Sequence, residues 1–131
     1  MLLSARFLND VNGVNSFEYT TSIEFNKGTV QTIYFQLIDR SLELAINGFN
    51  PAGRRYCPPV GSTLILQMVN VEDSKKIIRP AAMAFTEDTS IWSVPIFGTD
   101  PLDGTVTLGL TLSQPNGVVL TATINAGLRI C

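Results

Sequence analysis

Residues 104–112 read GTVTLGLTL, and the reading of this stretch decides the fold. Val106, Leu108, Leu110 and Leu112 fall on one face, and Thr105, Thr107, Gly109 and Thr111 on the other. Side chains of a strand point alternately to opposite faces, so strict period two describes a half-buried β-strand and not a helix. The residues just before it, EDTSIWSVPIFGTDPLDG at 87–104, hold the only tryptophan and a group of acids. There Trp92, Val94 and Ile96 share a face, and Pro95, which lacks an N–H for the ladder, marks a sheet edge. After it, residues 113–117 turn the chain into GVVLTATI, a terminal hairpin, and AGLRI at 126–130 extends that last strand past a bulge at Gly127.

The same period runs toward the N-terminus. In FEYTTSIEF, residues 17–25, Phe17, Tyr19, Thr21, Ile23 and Phe25 alternate with Glu18, Thr20, Ser22 and Glu24, a strand with one wet face. Asn26-Lys27-Gly28 supplies a turn. TVQTIYFQLID at 29–39 carries β-branched and aromatic residues on both faces, as a central strand does. RSLELAI at 40–46 alternates again, and the longest loop follows at 47–61, punctuated by Gly48, Pro51, Gly53, Pro58, Pro59 and Gly61. STLILQMVN at 62–70 is the next strand. Glu72-Asp73-Ser74 turns into KKIIR, and PAAMAF at 80–85 is a strand that Pro80 confines to a start or an edge.

No window shows a helical face and no linker divides the chain. The expectation is therefore one all-β domain over residues 1–131, with 1–14 a candidate N-terminal arm. Its architecture is expected to be a single antiparallel β-sandwich, immunoglobulin-like or jelly-roll-like, with roughly seven to nine short strands. The core should include Trp92, Val94, Ile96, Leu108 and Leu110.

Composition narrows the chemistry. The chain has 131 residues, 45% of them hydrophobic and 15% charged, with net charge −2. Its basic residues are scattered, so nucleic-acid binding is not expected. The absence of histidine removes the commonest general base and metal ligand and every Ser-His-Asp or Cys-His arrangement. Cys57 and Cys131 match no zinc spacing and are either a disulfide closing a long loop or two free thiols. The N-terminus lacks a signal-peptide pattern and no apolar run is long enough for a membrane span, so a soluble chain is expected.

Three groups invite a functional reading. Asp100 and Asp103, with Glu87 and Asp88 nearby, offer oxygen ligands of the kind calcium takes. Asp before Pro and Asp before Gly are equally turn residues, and the turn reading is preferred. The stretch Gly53-Arg54-Arg55-Tyr56-Cys57-Pro58-Pro59 is a structural loop, a protein contact or an anion site, since guanidinium forks suit carboxylate and phosphate. Phe49, Arg54, Arg55 and Tyr56 are the residue types found at interface hot spots and are the candidate contacts here. Trp92, read as core from its neighbours, is also a candidate for an interface or, with Tyr34 and Tyr56, for a glycan platform.

Three pieces taken in order, QTIYFQLIDRS (31–41), GRRYCPPVGSTL (53–64) and EDTSIWSVPIFGTDPLDGTVTLGLTL (87–112), resemble small β-sandwich proteins of tailed-bacteriophage virions. The type is that of tail, baseplate and fibre-attachment proteins, such as the baseplate upper protein N-terminal domain. The resemblance covers residues 29–128; residues 1–28 carry none. It implies a non-enzymatic structural protein of the virion, assembled in the host cytoplasm, where Cys57 and Cys131 stay reduced. The positive mean hydropathy and the aromatic and arginine residues of the 47–61 loop add the expectation of a closed homo-oligomer or a stable contact with a neighbouring virion protein, with this loop and residues 1–14 among the contacts. The resemblance implies no catalytic residue, cofactor, metal, nucleic acid or membrane. A head decoration or collar protein of the same fold, and a glycan-binding adhesin module, are the alternatives.

Overall fold

The structure, a computed structural model, describes residues 3–10, 17–40, 54–84, 91–124 and 126–131. Among these there is no helix, and the chain is all-β. Twelve strands are formed: β1 (Leu3–Asp10), β2 (Phe17–Thr20), β3 (Ser22–Phe25), β4 (Gln31–Asp39), β5 (Arg54–Arg55), β6 (Thr63–Asn70), β7 (Lys76–Pro80), β8 (Ala82–Met83), β9 (Ile91–Ile96), β10 (Gly104–Ser113), β11 (Val119–Ile124) and β12 (Gly127–Ile130). The strand expected at residues 41–46 lies outside the described residues.

Two groups of ladders share one hydrogen-bonded network. In the first, β1 pairs antiparallel with β4 and β4 with β9, with β2 beside β1, β8 beside β9 and β5 beside β4. In the second, β10 pairs with β6 along one side and with β11 and β12 along the other, with β7 beyond β6 and β3 beyond β12. A short pairing of β1 with β11 joins the groups. That pairing and β3–β12 are parallel, so the wholly antiparallel expectation is corrected to a mixed sheet. A parallel neighbour has to come from a distant part of the chain, and local periodicity carries no trace of it.

The expected strand at 17–25 is two. At Thr21 the chain bends: the Thr20 hydroxyl accepts the Ser22 N–H at 3.2 Å and donates to the Ser22 carbonyl at 2.8 Å. Such a side-chain bond to nearby backbone competes with the ladder. β2 then serves β1, and β3 serves β12. The face changes as well: Ile23 is buried, while Tyr19 is 56% exposed and donates its hydroxyl to Gln36 Oε1 at 3.1 Å.

Residues 3–10 are no arm. β1 sits beside β4, with Leu3, Ala5 and Phe7 alternating into the core and Phe7 directly opposite Phe35, ring centroids 5.7 Å apart. The central position expected for β4 holds, and Phe35 and Leu37 are fully buried. From the other group, Leu64, Leu66, Met68, Val106, Leu110, Leu112 and Leu128 join the same core. Each large side chain buried there is worth ~1.5–3 kcal/mol of transfer free energy.

The β10–β11 hairpin closes as expected, through a turn in which Gln114 N–H donates to Val118 O at 2.9 Å and Gly117 has φ +87°. AGLRI does not extend β11. It forms β12, which pairs with the first residues of β10 and fixes the chain's end beside β3. Pro80 ends edge strand β7, and Pro95 lies beyond the reach of β8, where β9 has no second neighbour among the described residues. Both prolines fall where no ladder N–H is needed.

Candidate functional site

The acids fasten a turn. Arg79, on β7, donates Nη1–H to Asp100 Oδ2 at 2.8 Å and Nη2–H to Oδ1 at 3.1 Å. It also donates to Pro95 O at 2.8 Å and lies over the Phe97 ring, 4.9 Å from its centroid. Asp100 Oδ2 accepts the Phe97 N–H at 2.7 Å, and the Asp100 N–H returns to Phe97 O at 3.0 Å. The Arg79 guanidinium, aided by the Phe97 N–H, holds the Asp100 carboxyl below its ordinary range against the opposing effect of burial. Asp103 pairs with Lys27 Nζ at 3.1 Å on the surface. Glu87 and Asp88 lie outside the described residues. Both Asp100 oxygens are thus occupied by the protein itself.

A buried asparagine completes this corner. Asn70, at the end of β6, donates Nδ2–H to Pro101 O at 2.8 Å and to Asp73 Oδ1 at 3.1 Å, and accepts the Asp103 N–H at 3.0 Å. One side chain therefore joins the β6–β7 turn to the loop before β10. The Lys75 N–H and the Asn70 amide lower the Asp73 pKa. Gly98 meets Gly28 here, and a Cβ on Gly98 would lie 2.6 Å from Gly28 O.

The arginine loop divides into fixed and free parts. Arg54 and Arg55 form β5 against Asp39 and Ile38, and the Arg55 side chain is exposed. Tyr56 is half-buried and packs on the core: its N–H donates to Leu37 O at 2.9 Å, and its hydroxyl accepts Gln114 Nε2–H at 2.7 Å. It is a strut and not a free contact. Phe49 lies outside the described residues. Cys57 and Cys131 are both exposed and free. The Cys131 thiol donates to Glu24 Oε1 at 2.8 Å, which together with burial raises its pKa.

Beyond Tyr56 the chain runs Cys57-Pro58-Pro59-Val60 and turns at Gly61 (φ +92°), with the Ser62 N–H donating to Pro59 O at 3.1 Å. This ridge and the edge strand β8 enclose a groove of about 360 Å³ at Trp92. Val94, Ile96 and Leu110 are buried as expected, whereas Leu108 and Trp92 are only half-buried against the core. Trp92 lies opposite Phe35 on one side and Met83 of the two-residue strand β8 on the other, and is packed against the core but only partly buried. Val60 is fully exposed and Met83 56% exposed beside it. The two buried side-chain polar atoms without a hydrogen-bond partner among the described residues, Trp92 Nε1 and Ser62 Oγ, both belong to the lining of this groove. None of the described lining residues is charged.

The groove therefore joins three stretches that are separate in sequence, Cys57 to Ser62, Met83 and Trp92. Sequence reasoning does not single out Met83, Val60 or Ser62; the one signal that bears on them is the place of Met83 in a strand read as an edge. The aromatics Tyr34 and Trp92 do not share a face, because Tyr34 pairs with Ser93 and Trp92 with Phe35. Elsewhere, Arg6 stacks over Tyr19 at 5.3 Å and, with Arg40, borders a hollow of about 300 Å³.

Fold and site together define an all-β chain that uses polar side chains to secure turns and presents, beside the edge strand β8, a mostly apolar groove with no charge among its described lining residues. No protein-family model matches the chain, and no curated protein matches it in sequence. No described helix is long and apolar enough to cross a membrane.

Proposed function

We propose that this chain is a non-enzymatic structural protein of a tailed-bacteriophage virion, a tail or baseplate component that oligomerises and docks fibres or neighbouring tail proteins. In this reading the two ladder groups are the layers of a β-sandwich closed over the shared core. The observation that carries the proposal is the Trp92 groove. Its described lining takes Cys57 to Ser62 and Trp92 from two of the pieces on which the virion resemblance rests, adds Met83 of the edge strand β8, and is mostly apolar with no charged residue. Exposed apolar surface of this kind marks contacts between proteins. The acids, by contrast, support rigidity: they hold turns against Arg79, Lys27 and main-chain N–H groups.

The test is quantitative proteomics of purified particles, followed by localisation in electron micrographs. The protein is expected at a fixed copy number per virion, at the tail end. Its absence from particles overturns the proposal, and a position on the head replaces the tail reading with that of a decoration or collar protein.

A further inference from the structure

We infer that the Trp92 groove is closed by a second copy of this chain, paired edge to edge through β8 about a two-fold axis. The choice of edge comes from charge. Five described strands have a partner on one side only: β2, β3, β5, β7 and β8. β2 carries Glu18, β3 Glu24, β5 Arg54 and Arg55, and β7 Lys76 and Arg79. Charges on an edge strand oppose the addition of another strand, and like charges meeting across a symmetric pair repel. β8, with Ala82 and Met83, carries none, and neither does the groove beside it. An isologous contact sets a patch against itself, and only an uncharged patch does so without repulsion.

The backbone is suited to the same contact. Ala84 N–H donates to Ile91 O at 2.8 Å, so in the antiparallel alternation residues 82 and 84 bond toward β9. The main-chain N–H and C=O of Met83 therefore point to the open side. Two copies related by a two-fold at Met83 exchange these bonds reciprocally. Their exposed Met83 and Val60 side chains then meet and bring the two grooves together. The Trp92 indole N–H and Ser62 hydroxyl, buried without hydrogen-bond partners among the described residues, lie in the residues that line the same groove. An unmet buried donor is rarely retained in a native protein without a reason.

This inference rests on the reading of the groove as a docking site, and it can fail separately from the virion proposal. Sedimentation velocity of the full chain over a hundredfold concentration range is expected to show a monomer–dimer equilibrium. Trp92 fluorescence should become less quenchable by iodide as the dimer fills. Met83→Lys, at an exposed position, is expected to keep the far-ultraviolet circular dichroism spectrum and to weaken the dimer at least tenfold. Ile78→Lys, equally exposed but on β7, should leave it unchanged. A wild-type monomer at every concentration, a Met83→Lys dimer of undiminished affinity, or dissociation by Ile78→Lys overturns the inference. A monomer that still enters particles refutes this inference alone, while a groove-dependent dimer absent from particles refutes the virion proposal alone.

Discussion

Replacing Asp100 by Asn asks whether the acids before β10 are structural. The amide keeps the shape and still offers one oxygen to the Phe97 N–H, but it loses the charge and the second acceptor of the fork. Arg79, whose side chain is only 20% exposed, keeps its 2.8 Å contact with that same oxygen, now uncharged, but faces an NH2 group where it had the 3.1 Å bond. Hydrogen bonds to charged groups are worth ~1.5–3 kcal/mol; one bond of the fork is lost and the other loses its charge. The loss is less than the sum, because Arg79 retains Pro95 O and the Phe97 ring and water reaches part of the pair. The expected destabilisation is about 2–3 kcal/mol, read in urea as a fall in midpoint at unchanged m-value. Acid supplies the control. The folded-state pKa of Asp100 is depressed, so its contribution is complete above the unfolded value of about 3.9 and is lost as pH falls through the lower folded value. Wild type and variant should therefore converge in acid. Asp73, also depressed, titrates in both proteins and cancels in the difference. A loss under about 0.5 kcal/mol at neutral pH, or a gap that persists at low pH, refutes the argument.

Gly98→Ala places a Cβ 2.6 Å from Gly28 O and 2.8 Å from its carbonyl carbon, both main chain, and is expected to cost about 1–3 kcal/mol in chemical denaturation; a neutral result would mean the two turns separate freely. Asn70→Ala removes three hydrogen bonds from a buried position and is expected to cost about 2–3 kcal/mol, a loss that disappears if water replaces the amide. Trp92→Ala, measured at a concentration where the chain is monomeric, should cost about 2–3 kcal/mol. That is below the ~3–5 of a fully buried aromatic, because the side chain is half-exposed and the orphaned N–H goes with it. Millimolar calcium or a chelator should leave the melting temperature unchanged, since Asp100 and Asp103 are already engaged by Arg79 and Lys27; a rise of several degrees with calcium would refute the turn reading.

Much of the candidate site is visible in the sequence as pieces and not as a site. The edge character of Pro80 and Pro95 is legible, because a missing N–H is a property of the residue. Periodicity misplaces Trp92, since it reports which residues share a face and not how far the neighbouring strand covers it. Trp92 faces the core opposite Phe35 but is only partly buried, beside the two-residue edge strand β8. Tyr56 has the look of a contact and is a strut, since its partners, Leu37 O and Gln114, are distant in the chain. Residues 3–7 do carry a signal that the arm reading overlooks: Leu3, Ala5 and Phe7 alternate into the core as regularly as Val106 to Leu112.

By itself the sequence determined everything that adjacent residues dictate: strands from period two, turns from Asp, Asn, Gly and Pro, and the absence of histidine chemistry. It placed β4 at the centre because both of its faces are apolar, and it predicted the β10–β11 hairpin because the turn between them is local. The tertiary structure alone decided the rest. The parallel pairs β1–β11 and β3–β12 and the Arg79–Asp100 fork join residues far apart in the chain. The Trp92 groove is of the same kind, because its walls come from three stretches that only folding brings together. Local preferences act over a few residues, and contacts of long sequence separation become favourable only after chain entropy has been lost, so no stretch read alone contains them.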